Sequence, residues 1–115
     1  MTLATALADG TTTGARILVV DDEEAIAELL TTALRYTGFE VAVARTGFEA
    51  LQVAATFSPD LVVLDVMLPD LDGYEVCRRL RGDGDLVPIV FLTARDAEEN
   101  RIRGFVQGGD SYLQT

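Results

Sequence analysis

Four consecutive apolar residues, Leu61, Val62, Val63 and Leu64, run without a polar break into Asp65. A continuous apolar run of this length, half of it β-branched, is the signature of a strand buried on both faces, and Pro69 prevents the strand from extending much further. A strand covered on both sides belongs to a parallel sheet flanked by helices, and such sheets place their chemistry just beyond the carboxyl ends of the strands. Asp65 stands at that place. A second run, Ile17, Leu18, Val19 and Val20, ends on Asp21, Asp22 and Glu23. Two strands that each deliver carboxylates to one sheet edge point to a divalent cation site beside a reactive Asp.

The rest of the chain supplies the alternating helices. The first strand is expected over residues 16–20. Glu23 and Glu24 open a helix whose Ile26, Leu29, Leu30, Ala33 and Leu34 follow the spacing of one buried face, and Gly38 stops it. A strand near an edge is expected over residues 39–43, and Gly47 begins the next connection. Ala50, Leu51, Ala54 and Phe57 mark a second helix, ended by Ser58, Pro59 and Asp60. After Asp65 a loop over residues 67–73 precedes a third helix carrying Tyr74, Val76, Cys77 and Leu80, whose Arg78, Arg79 and Arg81 suit its negative end. A strand at residues 89–92 ends on Thr93. A fourth helix spans residues 96–108, with Ile102, Phe105 and Val106 as its apolar face, and Tyr112 and Leu113 form a short fifth strand. This alternation, with short connections, is the pattern of a doubly wound parallel α/β sheet. Residues 1–14, rich in Thr, Ala and Gly, read as a flexible tail ahead of one domain over residues 15–115.

Charge and composition narrow the chemistry. The chain of 115 residues carries 19 acidic and 9 basic residues, a net charge of −10, and every basic residue is Arg. With no basic stripe, direct nucleic-acid binding by this segment is disfavoured. The absence of His removes the commonest general base and zinc ligand, so chemistry falls to carboxylates, hydroxyls, Arg and backbone. The single Cys77 allows no internal disulfide, which fits a cytoplasmic location. No apolar run approaches the length of a membrane span, and the first residues lack the pattern of a signal peptide.

Asp21, Asp22 and Asp65 are hard oxygen donors suited to Mg²⁺. Each alone could cap a helix or face solvent; three on two adjacent strands would repel one another without a cation. Asp65 is placed to act as a nucleophile that accepts a phosphoryl group, and the Thr93 hydroxyl could bond a phosphoryl oxygen, although Thr also serves as a helix cap or strand end.

Four stretches then resemble one family. They are residues 19–23 (Val, Val, Asp, Asp, Glu), residues 64–73 from Leu64 through Pro69 to Gly73, residues 91–95 (Phe, Leu, Thr, Ala, Arg), and residues 108–112 ending on Tyr112. In this order and spacing they look like the receiver domain of bacterial two-component response regulators, from about Arg16 onward. The resemblance implies a flavodoxin-like sheet in the order 2-1-3-4-5. It makes Asp65 the phosphoacceptor, with Asp21, Asp22 and the Met67 backbone carbonyl binding Mg²⁺ beside it. Thr93 becomes the switch hydroxyl and Tyr112 the switch aromatic. It further implies a sensor histidine kinase as partner and a non-enzymatic signalling role. A homodimer through the fourth helix and fifth strand is also suggested, since Asp96, Glu98, Glu99, Arg101 and Arg103 give that helix both signs of charge. The run after Phe91 and the 28-residue step from Asp65 to Thr93 are most like regulators with a winged-helix DNA-binding domain.

Two departures accompany the resemblance. Receivers place a Lys 22 positions after the switch hydroxyl, where this chain has Thr115, and the family's last helix has no counterpart in this sequence. Loss of that helix would be expected to bare a large apolar patch. A phosphorylation-incompetent pseudo-receiver acting by binding alone is the alternative. An Asp-nucleophile hydrolase would want a second acid at Met67, and the glycine motifs of nucleotide-binding loops are absent after the first strand.

Overall fold

In the computed structural model, residues 14–93 and 111–114 are described, the last four and Thr93 by their backbone alone. The element order is β1 (Arg16–Val20), α1 (Glu24–Tyr36), β2 (Glu40–Ala44), α2 (Gly47–Phe57), β3 (Leu61–Asp65), α3 (Gly73–Gly82), β4 (Ile89–Thr93) and β5 (Ser111–Gln114). The strands form one five-stranded sheet in the order β2-β1-β3-β4-β5, with every neighbouring pair parallel. The flavodoxin-like order expected from the sequence is therefore present, with β2 at an edge. The tail at residues 1–13, the fourth helix and Thr115 lie outside the described residues.

Strand periodicity divides the core in two. Leu18, Val20, Val62, Leu64, Ile89 and Phe91 pack on one face against Ala50 and Ala54 of α2 and Tyr74, Val76, Cys77 and Leu80 of α3. The alternate positions, Ile17, Val19, Val41, Val63, Val90 and Leu92, pack on the other with Leu34 of α1 and Phe39. Each fully buried Val, Leu, Ile or Phe contributes about 1.5–3 kcal/mol, so this double layer dominates the stability of the sheet. Tyr74 and Phe91 meet with ring centroids 4.9 Å apart and planes tilted by 49°, an arrangement favoured by their quadrupoles.

Two expectations are corrected. The apolar period of α1 is right, but its buried positions are Ala27, Thr31 and Leu34. Leu29 is 70 % exposed and Ala33 also faces solvent. The helix lies on the sheet through Ala27, Thr31 and Leu34, with Ile26 and Leu30 partly buried beside them, which leaves Leu29 and Ala33 uncovered. Gly47 is the first residue of α2 and is buried there rather than opening a free connection. Val63, Val90 and Leu92 are buried and share their cluster with Leu34, Phe39, Ile26 and Leu30, while Leu29 and Ala33 on the outer side of α1 are exposed.

The Thr31 hydroxyl is buried without a hydrogen-bond partner. An unsatisfied buried hydroxyl costs about 1–3 kcal/mol, most of which an apolar group of the same shape recovers. Thr31→Val is therefore expected to raise the unfolding free energy by about 1 kcal/mol, read as a rise of a few degrees in Tm by calorimetry; a fall would mean that the hydroxyl is bonded in solution.

Candidate metal centre and acceptor site

Parallel pairing assembles the site. Val20 stands opposite Leu64 in the β1–β3 register, so Asp21 and Asp65, the next residue of each strand path, emerge side by side at the carboxyl edge. Asp22 follows in the same turn. One carboxylate oxygen from each of Asp21, Asp22 and Asp65 lies within 4.8 Å of the others. Asp21 is buried, Asp65 partly buried and Asp22 exposed. The sequence expectation that these three acids converge is met by the geometry.

Local hydrogen bonds aim them. The Glu23 N–H donates to Asp21 Oδ1 at 2.8 Å, closing the turn into α1, and the Met67 N–H donates to Asp65 Oδ1 at 3.1 Å. Burial pushes the Asp65 carboxyl up to about 6; the Met67 N–H opposes this, while Asp21, Asp22 and Glu23 push it further up. Asp21 is also raised, first by burial, with the Glu23 N–H opposing and the charges of Asp22 and Glu23 adding. Three neighbouring hard oxygen donors, one of them raised to about 6 by burial with its neighbours' charges adding, fit a compact divalent cation, because such a cation offsets both costs.

The loop between Asp65 and α3 is built on close approaches that sequence reading missed. A Cβ on Gly73 would lie 2.3 Å from the Asp65 carbonyl oxygen, and the Gly73 N–H donates to the Val66 carbonyl at 2.9 Å. Asp72 caps α3 by accepting from the Glu75 N–H at 2.8 Å. Farther away, both oxygens of Asp70 accept N–H groups from the first turn of α2, Gly47 at 2.7 Å and Phe48 at 2.9 Å. What desolvation Asp70 suffers raises its pKa, but these two donors, with the N–H groups of Leu71 and Asp70 itself, outweigh it and hold the carboxyl below its ordinary range. Nothing local in the sequence marks the Asp70 contact, since its partners are 22 and 23 residues away.

The remaining expected positions are placed by the backbone. Leu92 pairs with Asp65, so Thr93 ends β4 one step beyond the acceptor strand's last partner. Tyr112 lies in β5 opposite Phe91. The side chains of Thr93 and Tyr112 lie outside the described residues. Met67 is 56 % exposed, at the mouth of the acidic cluster. Arg78 and Arg79 both pair with Glu75 on the surface of α3 in addition to lying near its negative end. Among the described residues no helix is long and apolar enough to cross a membrane.

A five-stranded parallel sheet in the order β2-β1-β3-β4-β5 with three carboxylates at its carboxyl edge is the arrangement that the resemblance to receiver domains implies. Residues 17–114 match the family model of the response regulator receiver domain, and the chain belongs to that family. It is 53 % identical over 98 residues to the response regulator MprA of Mycobacterium tuberculosis, covering 85 % of this chain and 43 % of that protein. The corresponding protein of Mycobacterium ulcerans is 52 % identical over 98 residues, covering 85 % and 42 %. The chain thus spans about two-fifths of the length of these curated relatives. Among solved structures, the receiver domain of the Francisella response regulator 1452 superposes with a TM-score of 0.84 at 36 % identity, covering 89 % of this chain and 84 % of that one. The BeF3-activated N-terminal receiver domain of Klebsiella pneumoniae RstA gives 0.81 at 37 % identity, covering 86 % and 84 %. Chemotaxis protein CheY4 of Vibrio cholerae gives 0.85 at 30 % identity, covering 90 % and 88 %.

The raised Asp65 carboxyl has a pH consequence. Its folded value of about 6 exceeds the ordinary 3.8, so the folded chain binds more protons than the unfolded one between those values, and this group's contribution to stability falls as pH rises through that window. Asp65→Asn removes the effect. Without added cation it is expected to stabilise the chain at pH 7.5 by about 1–2 kcal/mol after solvent screening, with the gain gone by about pH 4; urea titrations at both pH values check this, and a pH-independent gain would refute the assignment.

Proposed function

We propose that this chain accepts a phosphoryl group on Asp65 from the phosphohistidine of a sensor histidine kinase, in a two-component relay that regulates transcription. The observation that carries the reading is the convergence of Asp21, Asp22 and Asp65 at one strand edge in a chain of the receiver family. The working unit is residues 15–115, acting in the cytoplasm as an acceptor and switch rather than a turnover enzyme.

In the transfer, a carboxylate oxygen of Asp65 attacks phosphorus, the P–N bond to the donor imidazole breaks, and its electron pair leaves with the ring nitrogen. Asp21, Asp22, Asp65 and the Met67 carbonyl would hold Mg²⁺, which when bound offsets negative charge on the carboxylates and phosphoryl oxygens. The Glu23 N–H keeps Asp21 turned toward the cluster, and the Met67 N–H orients Asp65. By the family resemblance the Thr93 hydroxyl would bond a phosphoryl oxygen, and Tyr112, on the next strand, would pass the change to an output surface. A twofold dimer through that surface would pair its acidic and Arg side chains reciprocally.

Incubation with Mg²⁺ and acetyl phosphate is expected to add one phosphoryl group to the intact mass of the wild type and none to Asp65→Ala, with chelation of Mg²⁺ abolishing the gain. No gain in a sample with a folded α/β circular dichroism spectrum would leave a binding-only pseudo-receiver.

A further inference from the structure

We propose that Asp70 is a positioning residue for the acceptor site: by tying the loop after Asp65 to the first turn of α2, it holds the Met67 peptide where its carbonyl can serve the cation. The inference rests on the reading of Asp65 as phosphoacceptor and of the acidic cluster as a Mg²⁺ site.

The loop over residues 66–72 is pinned at three points. At its start the Met67 N–H bonds Asp65 Oδ1. At its end Gly73 abuts the Asp65 carbonyl so closely that a Cβ would stand 2.3 Å away. Between them, Asp70 spans the Gly47 and Phe48 N–H groups with its two oxygens. Met67 is 56 % exposed, so packing of its own side chain does little to fix its peptide. The tie at Asp70, three residues on, adds to the Met67 N–H bond and to the packing of Leu68 and Leu71 against the core in limiting the movement of that stretch.

Asp70 is more than an ordinary helix cap. The N-cap of α2 is already Thr46, whose hydroxyl accepts from the Glu49 N–H at 3.1 Å. Asp70 takes the donors that Thr46 does not, and it reaches them from another part of the chain. A carboxylate at a helix N-terminus is favoured by both the unsatisfied N–H groups and the dipole. The anchor is also sterically defined. A Cβ on Gly47 would lie 2.8 Å from Leu71 Cβ and 3.0 Å from Val76 Cγ2, so the loop and α2 meet in one close fit.

Two ways of weakening the same helix end separate a positioning role from a structural one. Asp70→Ala breaks the tie to the loop, whereas Thr46→Ala removes a cap of the same helix and leaves the loop tied; both should lower Tm. Isothermal titration with Mg²⁺ on the full chain is expected to show half-saturation raised roughly tenfold in Asp70→Ala, as for loss of an outer partner of a metal site. Asp70→Asn, which keeps one acceptor oxygen, should fall between Asp70→Ala and wild type, and Thr46→Ala should match wild type. Equal half-saturation in wild type and both Asp70 variants, or equal shifts in Asp70→Ala and Thr46→Ala, would overturn the proposal. Absence of Mg²⁺ binding in the wild type would instead overturn the cation site itself.

Discussion

Like charges forced together by strand pairing are the constraint on which this molecule's chemistry depends. β1 and β3 pair because each is an apolar run that must lose water, and their register sets Val20 opposite Leu64. Nothing in that pairing accommodates the acids that follow. Asp21 and Asp65 are carried into proximity as a by-product of burying Val20 and Leu64, each worth about 1.5–3 kcal/mol. Burial of the Asp65 carboxyl, with the charges of Asp21, Asp22 and Glu23 adding to it, raises its pKa to about 6, and the gain from burying the strand residues outweighs this cost. The fold therefore imposes a strained electrostatic arrangement that a cation or a proton relieves.

The same logic explains why the acceptor loop is so closely fitted. A reactive carboxylate at the end of a strand is useful only if the chain beyond it turns away at once and stays put. Here Gly73 lets α3 begin against the Asp65 carbonyl itself, Asp72 caps α3, and Asp70 binds the loop to α2. These contacts couple the acceptor strand to two helices on one face of the sheet, the face that also holds Tyr74, Phe91 and the larger buried side chains. A change in the loop would therefore be felt in packed elements rather than in solvent alone.

Membership of the receiver family agrees with this physical picture without replacing it. The relatives in the mycobacteria are more than twice as long as the matched region, so this chain corresponds to only a part of each. The net charge of −10 gives this chain little electrostatic attraction for a phosphate backbone.

The sheet and the three acids were legible in the sequence because both depend on local pattern: apolar runs of fixed length, each ending in carboxylates, with helical periods between them. The unbroken apolar run of β3 marked it as covered on both faces, and Leu61, Val62, Val63 and Leu64 are all buried. Pattern fixed the period of α1 but not its phase, since the choice between Ala27 and Leu29 as the buried side depends on how closely the helix backbone approaches the sheet. The role of Gly47 and the bonds from Asp70 were invisible for a related reason, as they join residues 22 and 23 positions apart and exist only once α2 and the loop are docked. Sequence by itself determined which residues are apolar, where strands stop and which acids stand at their ends. Tertiary structure decided which of those acids share one site and what holds the loop beside them, because distance in space is set by packing, not by order along the chain.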